Sequence, residues 1–300
     1  MIRNIQHLTL KVEHLSNNVR ISMLDAGCSM FTFSFPKSIL MSVLDRFRLD
    51  GKRLFITGGS RGLGREMALA IADVGADCVL AGRDEESLNN TADDIRAFGR
   101  DATVIVADIG NTTDCERACN EVVASHGPID ILINNVGGRR KDIPTTDMPL
   151  ETWQELLDLN LTSVFTCTKI IGRSMLNRGQ GGRIINISSI NSMVATKGIG
   201  GRSYETSKAA INQFTKACAV DWAEHDITVN AICPGGFMTE PNIKWSKENP
   251  ELIKRFRSQI PMGDHGQPED LGPLAVYLAS DAARYVTGAT MVIDGGYTLI

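Results

Sequence analysis

The chain predicts an α/β fold: a doubly wound parallel sheet of about seven strands with helices on both faces. Three observations carry this reading. Short β-branched apolar runs alternate with longer helix-period segments from Gly51 onward, a glycine-rich turn joins the first such run to the first helix, and no internal repeat or Pro/Gly/Ser-rich linker divides the chain. Strands are predicted at 53–57, 78–81, 103–107, 129–134, 183–188, 228–232 and 290–293. Helices are predicted at 62–74, 84–98, 114–125, 150–176, 204–224 and 268–280. Strand–helix alternation sets the strands parallel and covers both sheet faces, and right-handed crossovers then wind the sheet in both directions. Residues 42–300 read as one domain. The segment 240–266, polar and carrying Pro241, Pro250 and Pro261, interrupts the alternation with a short helical piece near 250–258 and is expected to act as a substrate lid.

Composition narrows the function classes. The 300 residues are 43% hydrophobic and 22% charged with a net charge of −4, which offers no electrostatic reason to bind nucleic acid. No run reaches the roughly 18 apolar residues of a membrane span, so no membrane partner is expected. Seven cysteines without a CxxC pair read as reduced thiols in a cytoplasmic protein. Cys115 and Cys119 share a helix face, but no His or further Cys stands near them in sequence, so no metal is expected. Residues 1–41 follow no secretory or transit pattern. They are expected to be a poorly ordered extension, or to lie upstream of a true start at Met41.

The first strand runs into Thr57-Gly58-Gly59-Ser60-Arg61-Gly62-Leu63-Gly64, and a helix follows. A glycine-rich turn there brings backbone N–H groups close to a pyrophosphate, and the helix N-terminus adds about half a positive charge. Gly58 permits the turn, Gly62 close approach of the phosphates and Gly64 tight helix–strand packing. The spacing G-x-x-x-G-x-G differs from the commoner G-x-G-x-x-G, and no Lys-Ser/Thr follows as in an ATP-binding phosphate loop. The second strand ends Ala81-Gly82-Arg83-Asp84, without the acid that usually bonds the adenosine ribose of NAD. Arg83 and Arg61 suit a ribose 2′-phosphate, so NADP(H) is the expected cofactor, with NAD(H) as the alternative if Asp84 serves the ribose. Asp84 reads better as a helix N-cap.

Tyr204 and Lys208 lie four apart and share a helix face. A phenol with a pKa of about 10 is a poor base near neutrality. A cation about 4 Å away contributes on the order of 4 kcal/mol at an effective dielectric of 20, enough to bring the phenol toward neutral pH. Upstream, the buried-type strand GRIINISS ends in hydroxyls, where doubly wound sheets bind ligands, so Ser188 or Ser189 faces the reacting carbon. Ser189 stands beyond the strand.

These motifs together resemble the short-chain dehydrogenase/reductase family, a single-domain Rossmann fold, from about Leu49 to the C-terminus. The pattern comprises TGGSRGLG at 57–64, NNVG at 134–137, LN at 159–160, ISS at 187–189, YETSK at 204–208 and PGGFMT at 234–239. The resemblance implies that Tyr204 is the general acid/base and that Lys208 holds the nicotinamide ribose and lowers the tyrosine pKa. Ser189 would polarise the substrate oxygen, and Asn160 would position a water in the proton relay. Gly58, Ser60, Arg61, Gly62, Leu63, Gly64, Arg83, Asp108, Ile109, Asn135, Val136, Gly137, Pro234, Gly235 and Thr239 would line the cofactor site with Tyr204 and Lys208. NNVG replaces the usual NNAG, and the Ser189–Tyr204 interval is about two residues longer than usual, which bears on specificity.

Arg139, Arg140 and Arg202 are expected to face an anionic small-molecule substrate. The pattern is most similar to gluconate 5-dehydrogenase-like members, with 3-oxoacyl-carrier-protein reductase-like members as the alternative. A catalytically inactive binding or regulatory protein of this fold is the different class to exclude. The resemblance also implies a homotetramer, with the two long helices and the C-terminus at its interfaces.

Overall fold

A computed structural model of the chain describes residues 9–14, 18–24, 30–36, 42–138, 141–195 and 201–300. Residues 1–47 and 48–300 form two compact units. In the first, strands β1 (Thr9–His14), β2 (Asn18–Leu24) and β3 (Met30–Pro36) pair antiparallel in that order, with Val12 opposite Ile21 and Ile21 opposite Phe33. These strands fall in the stretch expected to be an extension. The alternation in TLKVEH, RISM and FTFSF is the period-2 pattern of strands.

In the second unit the sheet order is β10-β9-β8-β7-β4-β5-β6, all parallel. The strands are β4 (Arg53–Thr57), β5 (Asp77–Gly82), β6 (Ala102–Val106), β7 (Ile131–Asn134), β8 (Gly182–Ile187), β9 (Ile227–Pro234) and β10 (Thr290–Ile293). The helices are α1 (Gly62–Asp73), α2 (Glu85–Ala97), α3 (Thr112–Ser125), α4 (Leu150–Leu157), α5 (Ser163–Arg178), α6 (Arg202–Trp222), α7 (Glu240–Glu248), α8 (Pro250–Arg257) and α9 (Gly272–Ala279). The predicted fold class is borne out, and each predicted strand falls within a few residues of an observed one.

The pleat sends alternate side chains to opposite faces. Phe55, Val79, Ile105, Leu132, Ile184 and Val229 share one core with residues of α3, α5 and α6. On the other side α1 packs on α2 and α9. Burial of each large apolar side chain contributes roughly 1.5–3 kcal/mol, so the two buried faces, not propensity, hold the strands in register.

The segment predicted as one helix over 150–176 is divided. A π-turn over Asp158–Thr162 widens the helix between α4 and α5. The excursion after β9 carries two short helices, α7 and α8, where one was predicted.

Candidate active site

The strand order reverses at β4, which has β5 on one side and β7 on the other. In an open parallel sheet this leaves a crevice at the carboxyl ends of the two central strands. Thr57 ends β4 and Asn134 ends β7. The Thr57 hydroxyl accepts hydrogen bonds from the Asn135 and Val136 N–H groups at 3.0 and 3.2 Å. The Asn135 amide donates to the carbonyls of Thr57 and Gly58, both at 3.1 Å. The two strand ends are thus tied together beneath the crevice.

Glycine is required here by contact as well as by conformation. Gly58 and Gly62 have φ of 71° and 56°, in the left-handed region. A Cβ on Gly64 would run into the Gly58 carbonyl, so the first turn of α1 lies directly against the loop. A Cβ on Gly62 would lie 3.4 Å from the Thr239 methyl, so Thr239 overhangs the phosphate loop from the segment after β9. Pro234 ends β9, and the Gly235 N–H donates to the Ile293 carbonyl at 2.9 Å. The result is a backbone cradle open at a helix N-terminus, the shape a dinucleotide pyrophosphate needs.

At the adenosine end, Arg83 Nη1 stands 3.9 Å from Asp108 Oδ2, and both side chains are about half exposed. Arg61 is the N-cap residue of α1 but makes no side-chain cap. Asp84 caps α2, accepting from the Ser87 N–H at 3.1 Å and the Ser87 hydroxyl at 2.8 Å. These bonds to the charged form, with Arg61 adding its field, hold the Asp84 carboxyl below its ordinary value. The N-cap reading of Asp84 is therefore what the geometry shows. Ser60 contributes its carbonyl to the Thr91 hydroxyl at 3.3 Å, and Leu63 is half-buried. Ile109 packs its side chain into the core under α3, leaving only its backbone for a ligand.

Asn160 is fully buried in the π-turn. Its Oδ1 accepts from the Gly138 N–H at 2.7 Å, and its Nδ2 donates to the Leu156 and Gly138 carbonyls. Lys208 is buried too, and its ammonium donates to the Ile187 carbonyl at 2.8 Å. Desolvation lowers the Lys208 pKa to about 8. Its Nζ sits 5.8 Å from the centre of the Tyr204 ring. A Cβ on Gly137 would lie 2.9 Å from Asn160 Oδ1 and 3.0 Å from Lys208 Nζ. The missing side chain at Gly137 is what lets Asn160 and Lys208 converge.

The serines separate by their partners. The Ser188 hydroxyl donates to the Lys208 carbonyl at 3.0 Å. The Ser192 hydroxyl donates to the Ser189 carbonyl and accepts from the Asn212 amide at 2.7 Å. The Ser189 hydroxyl accepts from the Asn191 N–H at 3.1 Å, which leaves its own proton for an oxygen in the crevice. Arg202 ion-pairs with Glu205 at 3.0 Å, so its charge is answered within its own helix. Arg139 and Arg140, expected on the substrate side, lie outside the described residues, as do 196–200 of the lengthened Ser189–Tyr204 interval.

Asn134, expected with the NNVG element to line the cofactor site, is buried and bonded beneath it, and its partners Thr168, Asn186 and Thr215 escaped sequence reasoning. Asn134 donates to Thr168 Oγ1 at 3.0 Å and to Asn186 Oδ1 at 2.8 Å, and Asn186 donates to Thr215 Oγ1 at 2.9 Å. This buried chain links β7, β8, α5 and α6 under the site. The available signal was an asparagine beside the apolar residues of each of two buried strands, since buried amides need partners. A second correction concerns the cysteines. Cys167, distant in sequence, meets Cys115 and Cys119, so the pair does have a third thiol beside it.

Known proteins resemble this chain in sequence and fold. Residues 58–298 match a family model described as enoyl-(acyl carrier protein) reductase. The chain is 36% identical over 255 residues to 2-dehydro-3-deoxy-D-gluconate 5-dehydrogenase of Dickeya dadantii, covering 85% of this chain and 98% of that one. It is 37% identical over 262 residues to gluconate 5-dehydrogenase of Gluconobacter oxydans, covering 86% and 99%. Its structure matches that of a gluconate 5-dehydrogenase from Burkholderia cenocepacia in complex with NADP and tartrate, with a TM-score of 0.80 at 36% identity, covering 86% of this chain and all of that one. On the fold, the crevice and these matches, the chain belongs to the short-chain dehydrogenase/reductase family of oxidoreductases.

Proposed function

We propose that this protein is an NADP(H)-dependent dehydrogenase that interconverts a secondary alcohol and a ketone on a sugar acid, with gluconate and 5-ketogluconate as the candidate pair. The observation that carries the reading is the convergence of Asn160 and Lys208 on Gly137, with the Tyr204 ring centre 5.8 Å from Lys208 Nζ, beside a glycine cradle at the reversal point of the sheet. The sugar-acid dehydrogenase relatives at 36–37% identity support the substrate class over a 3-oxoacyl thioester.

The cradle fits a dinucleotide. Gly58, Gly62 and Gly64 keep the loop free of side chains, and Asn135, Val136, Gly137, Pro234, Gly235 and Thr239 would line the remaining wall. Bound there, the cofactor supplies or accepts a hydride. In the reductive direction the Ser189 hydroxyl donates a hydrogen bond to the carbonyl oxygen, and Tyr204 gives that oxygen its proton. In the oxidative direction Tyr204 takes the alcohol proton. The Lys208 ammonium favours the tyrosinate across this exchange, and Asn160 holds the Gly138 backbone that borders the site and would position a water of the relay. The excursion over 240–266 serves as a substrate lid, pinned at its base by the bridge between Phe237 and Gly266. Six free buried thiols among the described residues agree with a reducing, cytoplasmic location.

Arg83 and Arg61 would take the ribose 2′-phosphate. Titration of NADPH against NADH on wild type and Arg83→Ala tests this. NADPH binding at least tenfold tighter in wild type, with the preference lost in the variant, is the expected result. Equal or tighter NADH binding overturns the cofactor assignment. Turnover of a 3-oxoacyl thioester without turnover of 5-ketogluconate would move the enzyme to the carrier-protein reductases.

A further inference from the structure

Three thiols meet where α3 crosses α5, beneath the sheet and outside the catalytic crevice. Cys115 and Cys119 lie one turn apart on α3, and Cys167 projects from α5. Cys167 Sγ is 3.6 Å from Cys115 Sγ and 3.5 Å from Cys119 Sγ, and all three sulfurs lie within 4.8 Å of one another. Each residue is buried to within 1% of complete. A cysteine in a core usually serves as a small apolar filler. Ala118, Val122, Ile171 and Met175 already fill that role at the same crossing. Convergence of three sulfurs on one point is a different property, because thiolates at about 2.3 Å from a common centre stand roughly 3.8–4.0 Å apart. The two spacings from Cys167, 3.6 and 3.5 Å, are within a few tenths of an ångström of that one.

We propose that Cys115, Cys119 and Cys167 form a buried three-sulfur binding site for trivalent arsenic. The sulfurs select a soft centre over hard cations. Charge selects among the soft ones. Lys208 is the one charged residue among the buried described residues, and it is bonded to Ile187 at the catalytic site. Three thiolates around a monovalent or divalent metal would leave a net negative charge in this core with no cation to answer it, which burial penalises heavily. Arsenous acid is neutral, and its reaction with three thiols keeps the site neutral. Three As–S bonds form, three As–O bonds break, and the three thiol protons leave with the three hydroxyls as water. No electron is transferred. The product would join α3 to the first turns of α5. The Cys115 thiol now donates to the Ser163 carbonyl at 3.9 Å, so that contact would be exchanged for the new bond.

The test is incubation of the full-length protein, anaerobic and reduced, with sodium arsenite, read by native mass spectrometry and arsenic X-ray absorption. Wild type is expected to gain one arsenic less three hydrogens, with three sulfur neighbours and no oxygen at the arsenic. Melting should shift upward. Cys167→Ala and Cys119→Ala should each lose the adduct at least tenfold in affinity, whereas Cys78→Ala keeps it. Absence of a wild-type adduct, oxygen retained on the arsenic, or an unchanged adduct in Cys167→Ala overturns the proposal. Tighter binding of cadmium than of arsenite at the same three sulfurs overturns the choice of a trivalent centre. If the variants do not fold, the wild-type sulfur count decides alone.

Discussion

At the scale of single residues, Gly137 and Lys208 constrain each other. Gly137→Ala places a methyl 2.9 Å from Asn160 Oδ1 and 3.0 Å from Lys208 Nζ, both deeply buried and already bonded. Neither group can retreat without giving up its partner. We expect turnover to fall at least tenfold with a smaller loss of stability. Steady-state kinetics beside a urea titration check this, and an active Gly137→Ala enzyme would mean that the two side chains adjust freely. Lys208 also has a signature in pH. Burial depresses its folded pKa from 10.5 to about 8, so the native state gives up its proton before the unfolded state does. Between those values the unfolded chain binds more protons, and stability rises with pH. The penalty, on the order of 3 kcal/mol, is fully present below pH 8 and is relieved as pH climbs toward 10.5. Urea midpoints of wild type and Lys208→Met from pH 7.5 to 10 should differ in slope, with the variant flatter. Parallel profiles would remove Lys208 from the account.

At the scale of elements, the helix termini decide which groups are available to a ligand. Asp84 spends its carboxylate on Ser87 at the start of α2, which leaves Arg83 and Arg61 as the cations beside the adenosine end of the crevice. Asp84→Ala should lower the melting temperature while leaving the NADPH-to-NADH preference of wild type intact. A changed preference would mean that Asp84 reaches the ribose after all. The π-turn at Asp158–Thr162 is the other element of consequence. It turns Asn160 toward Gly138 at the junction of α4 and α5. Nothing in the local sequence announces it, because the apolar periodicity continues through 150–176 and a single widened turn perturbs that pattern little.

At the scale of the whole molecule, large apolar side chains remain uncovered on the elements that the sequence reading placed at subunit interfaces. Phe165 on α5 is 49% exposed and Val220 on α6 is 80% exposed, while Tyr285, Leu299 and Ile300 near the C-terminus are each more than 80% exposed. Such surface is covered by like subunits in symmetric oligomers. We expect light scattering at micromolar concentration to give four times the subunit mass, and Val220→Asp to reduce it. A monomeric wild type would sink the tetramer.

The sequence by itself determined the sheet, the glycine cradle and the identity of the catalytic candidates. Strand and helix periods are written along the chain, and the phosphate loop, Ser189 and the Tyr204/Lys208 pair each occupy a short contiguous stretch. What lay between distant stretches was decided only by tertiary structure. Gly137 owes its importance to Asn160 and Lys208, 23 and 71 residues onward. The Asn134–Asn186–Thr215 chain exists because three elements stack at one depth. Cys167 joins Cys115 and Cys119 because α3 crosses α5 at that turn. Periodicity is a property of neighbours in sequence and survives in a one-dimensional reading. Convergence is a property of neighbours in space, set by which helix packs against which, and it exists only once the sheet has brought them together.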